Sequence, residues 1–214
     1  MRKKRDAEGT RSAVLKSAER LFAERGFNGT SLAEISRASG ISDGLILYHF
    51  KSKQGLYQDV LEGAGKRYMD VLQGIRAEDL PPAEMMGAAL KAVFEFWKTD
   101  DTYNRISLWA YLEGRKKTAV NEANLTAGLA AYLAALQESG HFPAEIDPVV
   151  FLTTIIGPIH FWFRYRAHFA EILDLKEKDD QLDERFLQQF SAILMGFFKA
   201  PDSGGSPKQA AGDG

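Results

Sequence analysis

Apolar residues recur along this chain at three- and four-residue intervals, and no segment alternates with the period of two that marks a strand. That spacing predicts an all-α fold. Val14, Leu15, Ala18, Leu21 and Phe22 form a first stripe, which Thr10 can cap and Gly26 can end. Ser31-Leu-Ala-Glu34 has the form of a capping box, in which hydroxyl and carboxylate satisfy free N–H groups reciprocally. A short helix with Leu32, Ile35 and Ala38 inward follows and ends at Gly40. Ser42 is placed to cap a second short helix reaching Phe50, and Ser52 to begin a long one from Lys53 to about Glu78. Further helices are predicted near Pro82–Lys98, Tyr103–Arg115, Val120–Ser139, Pro148–Leu173 and Leu182–Lys199. Pro82 and Pro148 fall in first-turn positions, where a missing N–H is harmless. Pro158 cannot donate to the Thr154 carbonyl, so Gly157-Pro158 is expected to kink its helix. Residues 200–214, rich in Gly, Pro and small polar residues, read as a disordered tail.

One stretch breaks the simple rule of one apolar face per helix. In "GLILYHF", Leu45, Ile46 and Leu47 sweep about 200° of helix circumference. With Ile46 at the centre of the core face, Phe50 falls about 40° away, while Leu45, Leu47 and Tyr48 point to the other side and His49 lies at the edge. Two short helices meeting at Gly40-Ile41 have the spacing of a helix-turn-helix, whose second helix enters the DNA major groove. Leucines there read shape and thymine methyl groups. Hydroxyls and N–H groups at helix N-termini (Thr30, Ser31, Ser42), with Tyr48, His49 and Lys53, suit phosphates.

Composition narrows the classes. The chain has 214 residues, 45% hydrophobic, without cysteine, which excludes disulfides and thiolate metal sites. Its charged N-terminus has no apolar run behind it, so no signal peptide is expected. The most apolar segment, Pro148–Phe163, is too short and too interrupted to span a membrane. A cytoplasmic protein without a membrane role is expected. The net charge of −2 is uneven: residues 1–53 carry eleven Lys/Arg against six Asp/Glu, leaving the rest acidic. A basic end on an acidic body fits one end meeting a polyanion. Arg2, Lys3, Lys4 and Arg5 read as part of a flexible basic arm over 1–9 that could track a DNA backbone.

The elements Phe22, Gly26-Phe27, Thr30-Ser31, Ile35, Gly40-Ile41-Ser42, Gly44, His49-Phe50 and Lys51-Ser52-Lys53 recur in an order that resembles the DNA-binding domain of the TetR family of bacterial transcriptional regulators. The resemblance covers residues 10–57. It implies phosphate contacts from Thr30, Ser31, Tyr48, His49 and Lys53, and base or groove contacts from Ser42, Asp43, Gly44, Leu45 and Leu47. Two positions depart from the family: Leu47 replaces its usual Tyr, and Leu45 a smaller residue. Asp43 is acidic beside a polyanion, so it is either unfavourable or accepts from a cytosine amino group.

For residues 58–199 the resemblance implies a ligand-binding and dimerisation domain. The last two helices would pair with their copies in a homodimer, with Phe186, Phe190, Ile193 and Phe197 as interface candidates. The middle helices are rich in aromatic residues, which can fill a core or enclose a small hydrophobic or aromatic effector. Phe94, Trp97, Asn104, Trp109, Thr154, His160 and Trp162 are the pocket candidates. No nucleophile motif, phosphate loop or paired carboxylate signature appears, so no enzyme is expected. His168 and Glu171 lack a third ligand, so no metal or cofactor is expected either. The function these features predict is a repressor that binds a palindromic double-stranded DNA operator and leaves it when a ligand binds. Two alternatives remain: an activator or ligand-free regulator, or a helical small-molecule carrier or interaction module whose helix-turn-helix is vestigial.

Overall fold

The computed structural model describes residues 2–76, 80–115 and 120–196, and all regular structure among them is α-helical. The helices are α1 (Arg2–Arg25), α2 (Leu32–Ser39), α3 (Asp43–Phe50), α4 (Lys53–Arg76), α5 (Pro82–Thr99), α6 (Thr102–Leu112), α7 (Val120–Glu138), α8 (Pro148–Ile172) and α9 (Asp179–Met195).

Two of these begin earlier than the spacing suggests. Thr10 lies inside α1 rather than capping it, and most of the expected arm over 1–9 is helical. The side chains of Arg2, Lys3, Lys4 and Arg5 lie outside the described residues, as do Phe197 and the tail over 200–214. Helix α9 starts at Asp179, where the Lys178 N–H donates to the Gln181 side chain (3.0 Å), a cap that the apolar stripe starting at Leu182 does not reveal. Gly157-Pro158 does not end α8, which stays helical through both residues. The remaining starts follow local chemistry. Asp147 accepts from the N–H groups of Val149 and Val150 ahead of Pro148, and the Ser52 hydroxyl accepts from Gly55 N–H at the head of α4.

Burial separates two cores. The first joins Val14, Ala18, Leu21 and Phe22 of α1 to Ile35, Ile46 and Phe50, and it continues through Leu56, Tyr57, Val60 and Leu61 of α4. It also takes Ile106 from α6. The N-terminal unit therefore does not close at residue 57: its core runs one turn further along α4 and borrows from the body. The second core gathers Ala64, Tyr68 and Leu72 of α4 with buried faces of α5, α7, α8 and α9, including Phe94, Trp97, Leu133, Ile159 and Phe190. Helix α4 thus passes from one core into the other without a break.

The corner between α3 and α4 is tight. Lys51 adopts a positive φ of 66°, and Ser52 N–H donates to the Phe50 carbonyl (2.8 Å) in a strained γ-turn. A Cβ on Gly55 would lie 2.3 Å from that same carbonyl oxygen, so α4 approaches α3 closely only because residue 55 has none.

Candidate functional site

Helix α3 sits on the first core through Ile46 and Phe50, both buried. Its other side is open: Leu45 is 40% exposed, Leu47 41% and Tyr48 70%. Ser42, Asp43 and Gly44 are exposed at its N-terminus. Ser42 occupies the N-cap position, and its hydroxyl makes no capping bond. His49 is half-buried at the edge, its ring 5.4 Å from that of Tyr48 and nearly perpendicular to it. An apolar cluster left open on an eight-residue helix in a helix-turn-helix has the shape and chemistry to enter a DNA groove.

Around this centre the structure redistributes three expected roles. Thr30 is a correction. It is 2% exposed, and its hydroxyl donates to the carbonyls of Gly26 (2.8 Å) and Leu21 (3.2 Å), so it closes the α1–α2 loop and offers no group to phosphate. Ser31 is exposed, yet its hydroxyl donates to Glu34 (2.7 Å) and accepts from the Glu34 N–H (3.2 Å) in the expected capping box. The Ser31 hydroxyl and the Ser31 N–H (2.8 Å), both donating to the Glu34 carboxylate, pull its pKa below the ordinary value, and Arg25 pairs with it at 2.8 Å. Lys53 lies half-buried with its ammonium 4.2 Å above the Phe27 ring, and burial lowers its pKa.

The body holds a cavity of about 120 Å³ between α4, α5, α6, α7 and α8. Of the pocket candidates, Trp97, Asn104 and His160 line it; Tyr68, Tyr103, Ser107 and an aliphatic wall of Leu129, Leu152 and Ile156 complete most of it. Four pocket candidates lie elsewhere. Phe94 packs between Phe163 and Phe186 in the core. Trp162 stacks on Phe186 and donates its indole N–H to Asp183 (2.8 Å). Thr154 faces outward and bonds the Phe151 carbonyl of its own helix. Trp109 abuts Gly26 of the N-terminal unit: a Cβ there would stand 3.0 Å from its ring. Helical spacing marks the three aromatic residues as apolar but cannot tell which neighbour will face each of them.

The interface candidates divide in the same way. Phe186 and Phe190 are committed to their own subunit's core, whereas Ile193 is 64% exposed. On α8 the exposed residues Val150, Thr154, Phe161, Tyr165 and His168 fall within about 60° of arc and form one outward, largely apolar stripe.

Sequence reasoning missed the connection between cavity and N-terminal unit. Helix α6 places Tyr103, Asn104 and Ser107 on the cavity. From the same helix Arg105 donates to the Ala23 carbonyl (3.1 Å). Just beyond it Glu113 accepts from Asn28 N–H (2.8 Å), and the Arg115 guanidinium lies 3.7 Å from the Phe27 ring centroid. Helix α4 makes a second connection, lining the cavity with Gly65, Tyr68 and Met69 while Leu56 and Tyr57 sit in the first core. The alternation of apolar positions along α6 carried no signal for these long-range polar contacts.

Comparisons with known proteins point the same way. Residues 14–60 match the family described as "Bacterial regulatory proteins, tetR family". The HTH-type transcriptional repressor BepR of Brucella suis biovar 1 is 33% identical over 101 residues, which are 47% of this chain and 48% of that protein. The chain thus spans about half the length of that relative. The HTH-type transcriptional regulator TtgR of Pseudomonas putida is 27% identical over 177 residues, covering 75% of this chain and 83% of that one. A solved structure of a putative transcriptional regulator, SCO4942 from Streptomyces coelicolor, superposes with a TM-score of 0.72 at 21% identity, covering 90% of this chain and 99% of that chain. This last likeness establishes the fold. No described helix is long and apolar enough to cross a membrane.

Proposed function

The chain belongs to the TetR family of bacterial regulatory proteins, and from that membership we propose a homodimeric, cytoplasmic repressor that holds a palindromic operator and releases it when a small ligand fills the cavity. The family consists of DNA-binding transcriptional regulators rather than enzymes. One observation carries the reading further: α3 leaves Leu45, Leu47 and Tyr48 uncovered by their own subunit, opposite the buried Ile46 and Phe50. The outward stripe of α8 with Ile193 of α9 supports pairing with a second copy. A twofold dimer sets two copies of α3 against half-sites one DNA turn or more apart.

Ligand entry acts through the two elements shared by cavity and N-terminal unit. A ligand that favours a different position of α4 and α6 moves the paired recognition helices out of register. A coupling of about 1–3 kcal/mol changes DNA affinity about 5- to 150-fold. Titration of the full chain on a labelled palindromic duplex from upstream of its own gene tests the DNA step. The logarithm of affinity should fall linearly with the logarithm of salt concentration, and Leu47→Asp should abolish binding to the operator. Salt-independent association, or an operator affinity untouched by Leu47→Asp, removes the proposal.

A further inference from the structure

The cavity has a definite chemical character. No carboxylate, lysine or arginine stands among its described lining residues. An ion entering it would lose hydration with no countercharge in exchange. His160 adds no charge at neutral pH, because burial pulls its pKa down to about 4, with Arg164 contributing.

Two lining groups nevertheless lack what buried polar groups require. Trp97 is 4% exposed, and its indole Nε1 has no hydrogen-bond partner among the described residues. The same holds for Nε2 of His160. Both residues line the cavity, and their rings meet edge to face with centroids 4.5 Å apart. Trp Nε1–H can only donate, whereas His Nε2 accepts or donates according to tautomer. A hydroxyl suits either case. Its oxygen accepts from Trp97, and it either donates its proton to His160 Nε2 or accepts from it. The remaining surface is aliphatic and aromatic, and a volume of about 120 Å³ approaches the roughly 150 Å³ of an engineered apolar cavity that takes up benzene.

We propose that this cavity binds a small, uncharged, ring-bearing molecule whose hydroxyl group pairs with Trp97 Nε1 and His160 Nε2. The proposal rests on the reading of the cavity as the effector site and adds the chemistry of the effector.

Calorimetric titration of the full chain with a matched set of probes tests it. 4-Ethylphenol should bind at least about tenfold more tightly than ethylbenzene, which has the same ring but leaves both nitrogens unpaired. Benzyltrimethylammonium and 4-ethylbenzoate should bind more weakly than either. Trp97→Phe should bring 4-ethylphenol down to the affinity of ethylbenzene while leaving ethylbenzene unchanged, and His160→Leu should narrow the same gap. Equal affinities for 4-ethylphenol and ethylbenzene in the unaltered protein overturn the proposal without recourse to any variant. So does tightest binding of a charged probe, absence of 4-ethylphenol binding, or a gap that survives in folded Trp97→Phe. Operator affinity measured in the same samples separates the two levels. Selective binding of 4-ethylphenol with no change in DNA affinity removes the ligand-responsive repressor and leaves the cavity chemistry in place. Operator binding without any phenol selectivity removes the cavity chemistry alone.

Discussion

Thr30 and Asp183 are the buried polar residues among those described, one in each half of the molecule, and they are held in different ways. Thr30 bonds backbone carbonyls only four and nine residues away. Asp183 is 1% exposed and accepts side-chain donors from distant helices: Arg166 at 2.5 Å, Trp162 at 2.8 Å, and Lys98 at 3.5 Å. The N-terminal unit is thus closed by short-range chemistry around a loop. The body is tied across α5, α8 and α9 by a charge that none of those helices could bury alone. The bonds of Thr30 fix a loop inside the N-terminal unit, while those of Asp183 hold separate helices of the body together.

The largest expected effect tests that contrast directly. Asp183→Ala leaves the Trp162 N–H without its partner in the body and takes from Arg166 the closer of its two carboxylates, with only Asp179 left at 3.3 Å. It should lower unfolding free energy by about 3–5 kcal/mol, read by urea denaturation. A loss below about 1 kcal/mol would show that the body does not depend on this tie. Acid should act on the same half. The His160 pKa is depressed to about 4 from 6.5 by burial and by Arg164, so the unfolded chain binds the proton first. The stability this gives is complete above pH 6.5 and is lost as pH falls through the folded value. That amounts to about 1–3 kcal/mol by pH 4. The loss should be absent from His160→Leu when unfolding is followed between pH 7 and pH 4; an identical slope in the variant excludes His160 as the source.

Smaller changes belong to the N-terminal unit. Thr30→Val keeps the shape and removes the donor to the Gly26 and Leu21 carbonyls. It should destabilise by about 1–2 kcal/mol in thermal unfolding, less than Asp183→Ala; the reverse order would break the contrast between local and long-range ties. Least of all, Tyr48→Ala at an exposed position should leave stability within about 0.5 kcal/mol while weakening operator binding. A stability loss above about 1 kcal/mol would mean that Tyr48 supports its own fold.

The same contrast explains which expectations held. The capping box at Ser31, the stop at Gly40 and the inward pair Ile46 and Phe50 follow from bonds and periodicities within one turn of helix. The exposed Leu45, Leu47 and Tyr48 follow too, since fixing the inner residues fixes the outer ones. Thr30 failed for a local reason of a different kind: its side chain folded back onto the loop carbonyls, an option equally open to any Thr before a helix. In the body, Trp97, Trp109 and Trp162 share one composition and one helical setting, yet they line the cavity, clamp the N-terminal unit and bind Asp183 respectively.

The sequence by itself determined that the chain is helical, where most helices begin and end, and which side of α3 is left bare, because these depend on interactions between residues within about one turn of each other. Only the tertiary structure decided which aromatic residues surround a cavity, that Asp183 is buried, and that α6 and α4 connect the cavity to the N-terminal unit. Those outcomes depend on which helix faces which across tens of residues of chain, and an apolar position has the same local signature whatever it meets.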